Sequence, residues 1–348
     1  DWSVTGVQTC ALPIFINCVS THMERLKSGS ARIGLLLNPM SGQLKKRRAA
    51  ILKAAEQVPN GIIRQASDAA GFITATNHLL ESGIDLLVII AGDGTSHAVL
   101  GHLFATVPEA NWPALMIVTG GTTNMTPLDL GMRGKPEEIL RRLACYLQGA
   151  AEPVPGLVQR PVLRIEQNGQ PTVYGMFFAA GLVARGVKFS RSNVKQVGIT
   201  GGVFTFLIMM RSLAGMILGG NHGKWAPVTM TITRENGEQS QGAYLFALVS
   251  ALDCLLLNLR PYWGKEAAPL HITWVDQQRK KLWRALWPLV TGRGHVLKAQ
   301  DGYHSHNARM LALQLDDEYI VDGELYRSVD PVEPLRITAT RPVSFLVL

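Results

Sequence analysis

The stretch Ile84–Thr95, IDLLVIIAGDGT, decides the fold: a run of β-favouring apolar residues ends abruptly in a glycine turn. A short apolar run bounded by a turn, with no polar alternation, reads as a strand buried on both faces. The next residues, SHAVLGHLFATV, return to helical spacing, so the unit is strand, glycine turn, helix. Upstream, IGLLLNP (33–39) is a second such strand, followed by the helical stretches KKRRAAILKAAEQV and AGFITATNHLLESG. Downstream, PALMIVTGGTTN (113–124) is a third strand that again ends in glycines. Strands alternating with helices predict an α/β domain built on a parallel sheet with both faces covered.

Beyond this region the periodicity changes. Residues 147–156 shift to Gly, Ala and Pro, and after them apolar and polar residues alternate around hairpin signals. Asn168-Gly169 lies between two strand-like runs, and Asn236-Gly237 does the same farther on. The sequence therefore predicts an α/β domain over 31–150 and a mostly antiparallel β domain over 151–334, with a closing segment over 335–348. Residues 1–30 are set apart as a leader: DWSVTGVQTCALPI resembles translated adapter sequence more than a signal peptide, since it lacks a basic start and a long apolar run.

The chain has 348 residues, of which 47% are apolar and 17% charged, and this excludes a disordered or fibrous protein. Thirty-four basic against 26 acidic residues give +8, a balance suited to phosphorylated ligands, nucleic acid or an anionic membrane. The four cysteines form no CxxC pair, so neither a zinc ribbon nor a disulfide framework is expected, and a reducing compartment is. Residues 201–220 are long and apolar enough to approach a membrane span, but Arg211 at the middle argues for a buried or lipid-facing helix. RKKLWRALWPLV (279–290) pairs tryptophans with basic residues, as an interfacial anchor would.

Three turns stand at the carboxyl ends of apolar strands: Asn38-Pro39-Met40-Ser41-Gly42, Gly92-Asp93-Gly94-Thr95 and Gly120-Gly121-Thr122-Thr123-Asn124. Ligands of open α/β sheets bind at that edge. Glycine lets the backbone approach a phosphate closely, helix N-termini attract anions, and Ser41, Thr95 and Thr122 add hydroxyl donors. A polyphosphate site follows. There is no GxxxxGK(S/T) and no GxGxxG after a strand, which removes the Walker and dinucleotide-fingerprint classes.

NPMSG, AGDGT, GGTTN and, far downstream, Val321-Asp322-Gly323-Glu324, in this order, resemble the diacylglycerol kinase catalytic family, the bacterial soluble lipid kinases related to sphingosine kinases. The resemblance runs over residues 32–348 and includes GMFFAAGLVARGV at 175–187. It implies transfer of the γ-phosphoryl group of ATP, with Mg²⁺, to the hydroxyl of diacylglycerol or a similar lipid alcohol, in a cleft between a nucleotide domain and a β-sandwich lipid domain. It also implies that the closing segment returns to the first domain. Glu324 is the candidate catalytic base, Asp93 its alternative and the Mg²⁺ site. Asn38, Pro39, Ser41, Gly42, Ser67, Gly92, Gly94, Thr95, Gly121, Thr122 and Asn124 match nucleotide-contacting positions. The partners implied are ATP, a lipid alcohol and an anionic membrane surface, with a cytoplasmic location on the inner face of the membrane, no nucleic acid, and a homodimer allowed.

The sequence also departs from the family. Ala91 replaces the first glycine of GGDGT, His97-Ala98 stand where many members have Asn-Glu, and Met125 stands where an Asp is usual. The linker around Gly156 carries no Asp, and the family's PxAxxxDG stretch is shortened to Ala267-Ala268-Pro269-Leu270, which removes a structural Mg²⁺ site. A catalytically weak or inactive lipid- or nucleotide-binding member of the fold is the alternative, and an enzyme like NAD kinases a further one. His97 and His102 are five apart on a helix and make no metal pair, while His304 and His306 project the same way from a strand without an acidic partner at metal spacing.

Overall fold

The computed structural model describes residues 21–150, 152, 154–188, 227–279, 285, 287, 288 and 293–348. The apolar stretch 201–220 lies outside the described residues, as does most of 279–290.

The first domain is a six-stranded sheet in the order β2-β1-β3-β4-β17-β5. Its strands are β1 (Ile33–Leu37), β2 (Gly61–Gln65), β3 (Leu86–Ala91), β4 (Ala114–Thr119), β5 (Gly156–Arg160) and, from the end of the chain, β17 (Val343–Val347). All contacts from β2 to β17 are parallel, and β5 pairs antiparallel with β17. Every residue of β1, β3 and β4 is buried, because helices cover both faces. Leu36, Leu87 and Ile89 face α3 (Ala69–Glu81) and α4 (Asp93–Thr106), whereas Leu35, Val88 and Ile90 face α2 (Gly42–Glu56) and α6 (Pro136–Leu147). That two-residue alternation is why an unbroken apolar run is required.

The folded chain starts before residue 31. Residues 21–27 are helical (α1), Leu26 is wholly buried among the β1 and β3 side chains, and His22, Arg25 and the Arg32 N–H all bond the Asp85 carboxylate. The last third of the expected leader therefore belongs to the first domain's core. Burial of Asp85 opposes ionisation, but these donors outweigh it and hold the carboxyl below its usual range.

Among the described residues the second domain is an eleven-stranded antiparallel sheet. It comprises β6 (Leu163–Glu166), β7 (Val173–Gly175), β8 (Phe177–Gly181), β9 (Val228–Arg234), β10 (Gln239–Ser250), β11 (Leu270–Asp276), β12 (Tyr303–Ala308), β13 (Met310–Leu315), β14 (Glu318–Val321), β15 (Glu324–Arg327) and β16 (Leu335–Ala339). The fold class is thus as expected: a parallel α/β domain followed by an antiparallel β domain. The two Asn-Gly signals mark the β6–β7 and β9–β10 hairpins, with Gly169 and Gly237 both at positive φ.

The domain limits shift in two places. β5 pairs with β17 inside the first sheet, which moves the boundary from 150 to just past Arg160. β16 pairs with β13 and β6, so 335–339 stay in the second domain and only 343–347 enter the first sheet, between β4 and β5. The domains share one apolar core on the α3/α4 side, which runs from Leu36 and Ile89 to Phe178, Trp274 and Val321. At their junction Phe104 of α4 stacks on Tyr174 of β7, with centroids 4.8 Å apart.

Candidate active site

The three turns lie side by side at the carboxyl ends of β1, β3 and β4, in close backbone contact. A Cβ on Gly120 would stand 2.5 Å from the Ala91 nitrogen, and one on Gly121 would stand 2.5 Å from the Cα of Gly92. Only glycine permits that approach. A Cβ on Gly42 would meet the Thr122 methyl at 2.4 Å, so the first turn touches the third. Asn38 joins the first to the second: its Nδ2 donates to Thr95 Oγ1 at 3.0 Å, and its Oδ1 accepts from the Met40 N–H.

Two helices begin here. Ser41 is the N-cap of α2, but its hydroxyl donates to the Asn38 carbonyl instead of capping. Gly92 caps α4 and has no side chain to offer. The Gln43 N–H donates to the Gly120 carbonyl and the Thr95 N–H to the Gly92 carbonyl, so an anion would take the remaining first-turn N–H groups, with the positive end of each helix dipole behind them. Lys45, Lys46 and Arg48 are exposed on α2, whereas Arg47 turns inward to bond Glu137.

Asp93 is the first residue of α4, and its carboxylate accepts the N–H groups of Met125 (3.1 Å) and Thr126 (3.2 Å). Those groups open α5 (Met125–Asp129), so the carboxylate caps a helix that crosses from the third turn. Asn124, at a left-handed φ of 51°, holds the turn through mutual bonds with Gly121. Burial pushes the Asp93 carboxyl up to about 6; the two backbone donors oppose that rise and the neighbouring Asp322 charge adds to it.

The fourth motif arrives from the second domain as a two-residue hairpin. Asp322 (φ 49°) and Gly323 (φ 87°) both adopt the left-handed conformation, and Val321 pairs with Glu324 across the turn. Asp322 is buried and anchors the hairpin by accepting the N–H groups of Met176 and Phe177. The hairpin thereby sets Glu324 over the second turn, where its Oε1 lies 3.3 Å from the position of a Cβ on Gly94.

Of the residues expected from the motifs, Asn38, Pro39, Ser41, Gly42, Gly92, Asp93, Gly94, Thr95, Gly121, Thr122, Asn124 and Glu324 thus converge on one edge. Ser67 is exposed at the carboxyl end of the edge strand β2, one residue past Ala66, whose N–H donates to the Leu37 carbonyl beside Asn38. Two residues at this edge were not singled out as site residues by sequence reasoning. His97 bonds Asp322 and the Tyr326 hydroxyl, and Tyr326 stacks on Tyr319 across the hairpin. No local pattern marks either residue, since their meeting depends on how the domains dock. His304 and His306 both stack on Trp274 and bond Asp276 and Glu266. Among the described residues no group of three His, Cys, Asp or Glu could enclose a metal.

Residues 32–154 match the family model of the diacylglycerol kinase catalytic domain. That segment, the greater part of the first domain, is thus similar to the family's catalytic domain. The family resemblance carried by the motifs is borne out over that segment. Solved structures share the whole architecture. A protein of Bacillus anthracis strain Sterne described as a diacylglycerol kinase superposes with a TM-score of 0.62 at 18% identity, covering 91% of this chain and 95% of that one. A second from the same strain gives 0.57 at 15% identity, over 91% and 96%. At such identities the likeness establishes the fold. No curated protein sequence matches the chain.

Proposed function

We propose that the protein is a lipid kinase that transfers the γ-phosphoryl group of ATP to the hydroxyl of diacylglycerol or a similar lipid alcohol at the junction of its two domains. The observation that carries this reading is the placement of Glu324, a carboxylate of the second domain, against Gly94 in the phosphate-binding type of turn of the first. In phosphoryl transfer the protein mainly positions groups and offsets charge. The α2 and α4 N-termini and the Gly120–Thr122 backbone would take the phosphates, while Glu324 would accept the hydroxyl proton as that oxygen attacks phosphorus.

The donor set also suits Mg²⁺. Mg²⁺ usually takes one or two carboxylates plus substrate phosphates and water rather than a full protein cage. Asp93 supplies such a carboxylate; its pKa is raised chiefly by burial, with a smaller contribution from the Asp322 charge, and a bound cation would oppose both. When bound, the metal neutralises the phosphates.

An apolar acceptor is supported by what adjoins Asp93. The Met125 N–H sits on that carboxylate, and the Met125 side chain joins Val183, Val187, Phe246 and Leu255 as half-buried apolar groups packed on the β8, β10 and β14 face. This lining suits an acyl chain better than a second nucleotide. No helix among the described residues is long and apolar enough to cross a membrane. With its +8 charge, the chain would reach its lipid by docking on an anionic cytoplasmic leaflet.

The replacement of an acidic position by Met125 favours a second reading, a binding protein of the same fold without turnover. The test is ATP labelled at the γ-phosphate, with Mg²⁺ and mixed micelles of each candidate lipid alcohol. Label entering the organic phase supports the kinase. Measurable ATP binding with no label in any lipid supports the binding protein, and label on NAD alone would move the assignment to a dinucleotide kinase.

A further inference from the structure

Asp93, His97 and Phe104 lie on one face of α4, since spacings of four and eleven residues return to the same side of a helix. That face meets the second domain: Phe104 stacks on Tyr174, and His97 reaches the hairpin that carries Glu324. The two ring nitrogens of His97 engage different parts of that hairpin. Nδ1 lies 3.3 Å from Asp322 Oδ2, and Nε2 lies 2.8 Å from the Tyr326 hydroxyl.

The chemistry fixes the roles. An ionised carboxylate only accepts, so Nδ1 carries the proton and donates it to Asp322. With Nδ1 as the donor to Asp322, Nε2 is the nitrogen that pairs with the Tyr326 hydroxyl. Glu324 lies between these contacts in sequence, and side chains two apart on a strand project from one face, so Tyr326 and Glu324 share a face of β15. The Asp322 side chain is buried and that of His97 partly so, at 3% and 11% exposure, so little water competes for these bonds. Tyr326 is braced from behind by its stack on Tyr319. The ring therefore grips the hairpin on both sides of the candidate base.

We propose that His97 is the positioning residue for Glu324, tying the Asp322–Tyr326 hairpin of the second domain to the N-terminal half of α4. This rests on the reading of Glu324 as the base. His97→Asn keeps an amide donor near Asp322 and loses the bond to Tyr326, while Tyr326→Phe keeps the ring stack and loses the hydroxyl.

Two measurements test the proposal independently. Amide hydrogen exchange of residues 318–327 should quicken about tenfold in His97→Asn, with β1 and β3 unchanged, because a local tether has been cut. In the lipid phosphorylation assay, His97→Asn and Tyr326→Phe should each lower kcat about tenfold with KM for ATP unaltered, and the double variant should be no worse than either single one. Unchanged exchange in the hairpin, or additive kinetic losses, would overturn the proposal. Faster exchange in a chain whose wild type phosphorylates no lipid would overturn the kinase reading and leave the tether standing.

Discussion

Glu324 Oε1 lies 3.3 Å from where a Cβ would project from Gly94, although the two residues belong to different domains. The carboxylate thus occupies the space that the missing side chain leaves open. Gly94 lies in the first turn of α4 at an ordinary negative φ, so alanine there meets no backbone strain. Gly94→Ala should fold, with an unfolding temperature within about 3 °C of wild type, because only the carboxylate must give way. Its kcat should fall about tenfold or more as Glu324 is displaced, while ATP binding is largely retained. Calorimetry beside steady-state kinetics checks both halves.

Gly120 and Gly101 form a contrasting pair. Alanine at Gly120 would drive its Cβ to 2.5 Å from the Ala91 nitrogen and 2.9 Å from the Ala91 oxygen, whereas at Gly101 nothing lies within 4 Å. Gly120→Ala should lose about 1 to 3 kcal/mol and its nucleotide affinity together. Gly101→Ala, inside α4, should gain up to about 1 kcal/mol from helix propensity and leave turnover unchanged. Denaturant unfolding with and without ATP distinguishes the two.

Asp93 gives a pH dependence whose sign is unusual for a carboxyl. Its pKa rises from 3.8 to about 6 on folding, chiefly through burial, so the folded state holds a proton that the unfolded state has released. Stability from this group is complete below pH 3.8 and is lost as pH rises through about 6. In the absence of Mg²⁺, Asp93→Asn should therefore raise the unfolding temperature at pH 7.5, by about 2 °C or more, and change it little at pH 4. Phosphoryl transfer should be lost in the same variant at every pH. Thermal scans at the two pH values decide the first point, and an unchanged transition at pH 7.5 would contradict it.

Asp322 should matter more to stability than an exposed turn residue would. It holds a left-handed φ, accepts the N–H groups of Met176 and Phe177, and is buried. Asp322→Ala leaves those donors unmatched and strains the turn, and should cost about 2 to 4 kcal/mol by denaturant unfolding.

What could be read from the sequence was what is local. The runs IGLLL, LLVIIA and ALMIVT announce β1, β3 and β4 because strands covered on both faces need unbroken apolar residues, and their glycine turns announce the site. β2 escaped notice because GIIRQ is an edge strand with exposed residues and little apolar signal. β5 and β17 carry no local mark of their partners, since the insertion of Val343–Val347 beside β4 is a property of the whole chain's path. The same reason hides the tether: His97 reads as a helix residue, and only domain docking brings it to Asp322 and Tyr326. The helix over 21–27 is hidden in another way, because the contacts that hold it, Leu26 on the β1 and β3 side chains and His22 and Arg25 on Asp85, join it to residues far along the chain.

The most direct test of the account compares wild type with Glu324→Gln, following labelled γ-phosphate from ATP into the lipid phase and, separately, ATP binding by calorimetry. The account predicts transfer to one class of lipid alcohol in the wild type, a fall of at least about 100-fold in the variant, as expected on losing a general base, and ATP affinity changed by less than about twofold. Equal transfer by the two proteins would contradict it, because the carboxylate that the second domain sets against Gly94 would then have no part in the chemistry.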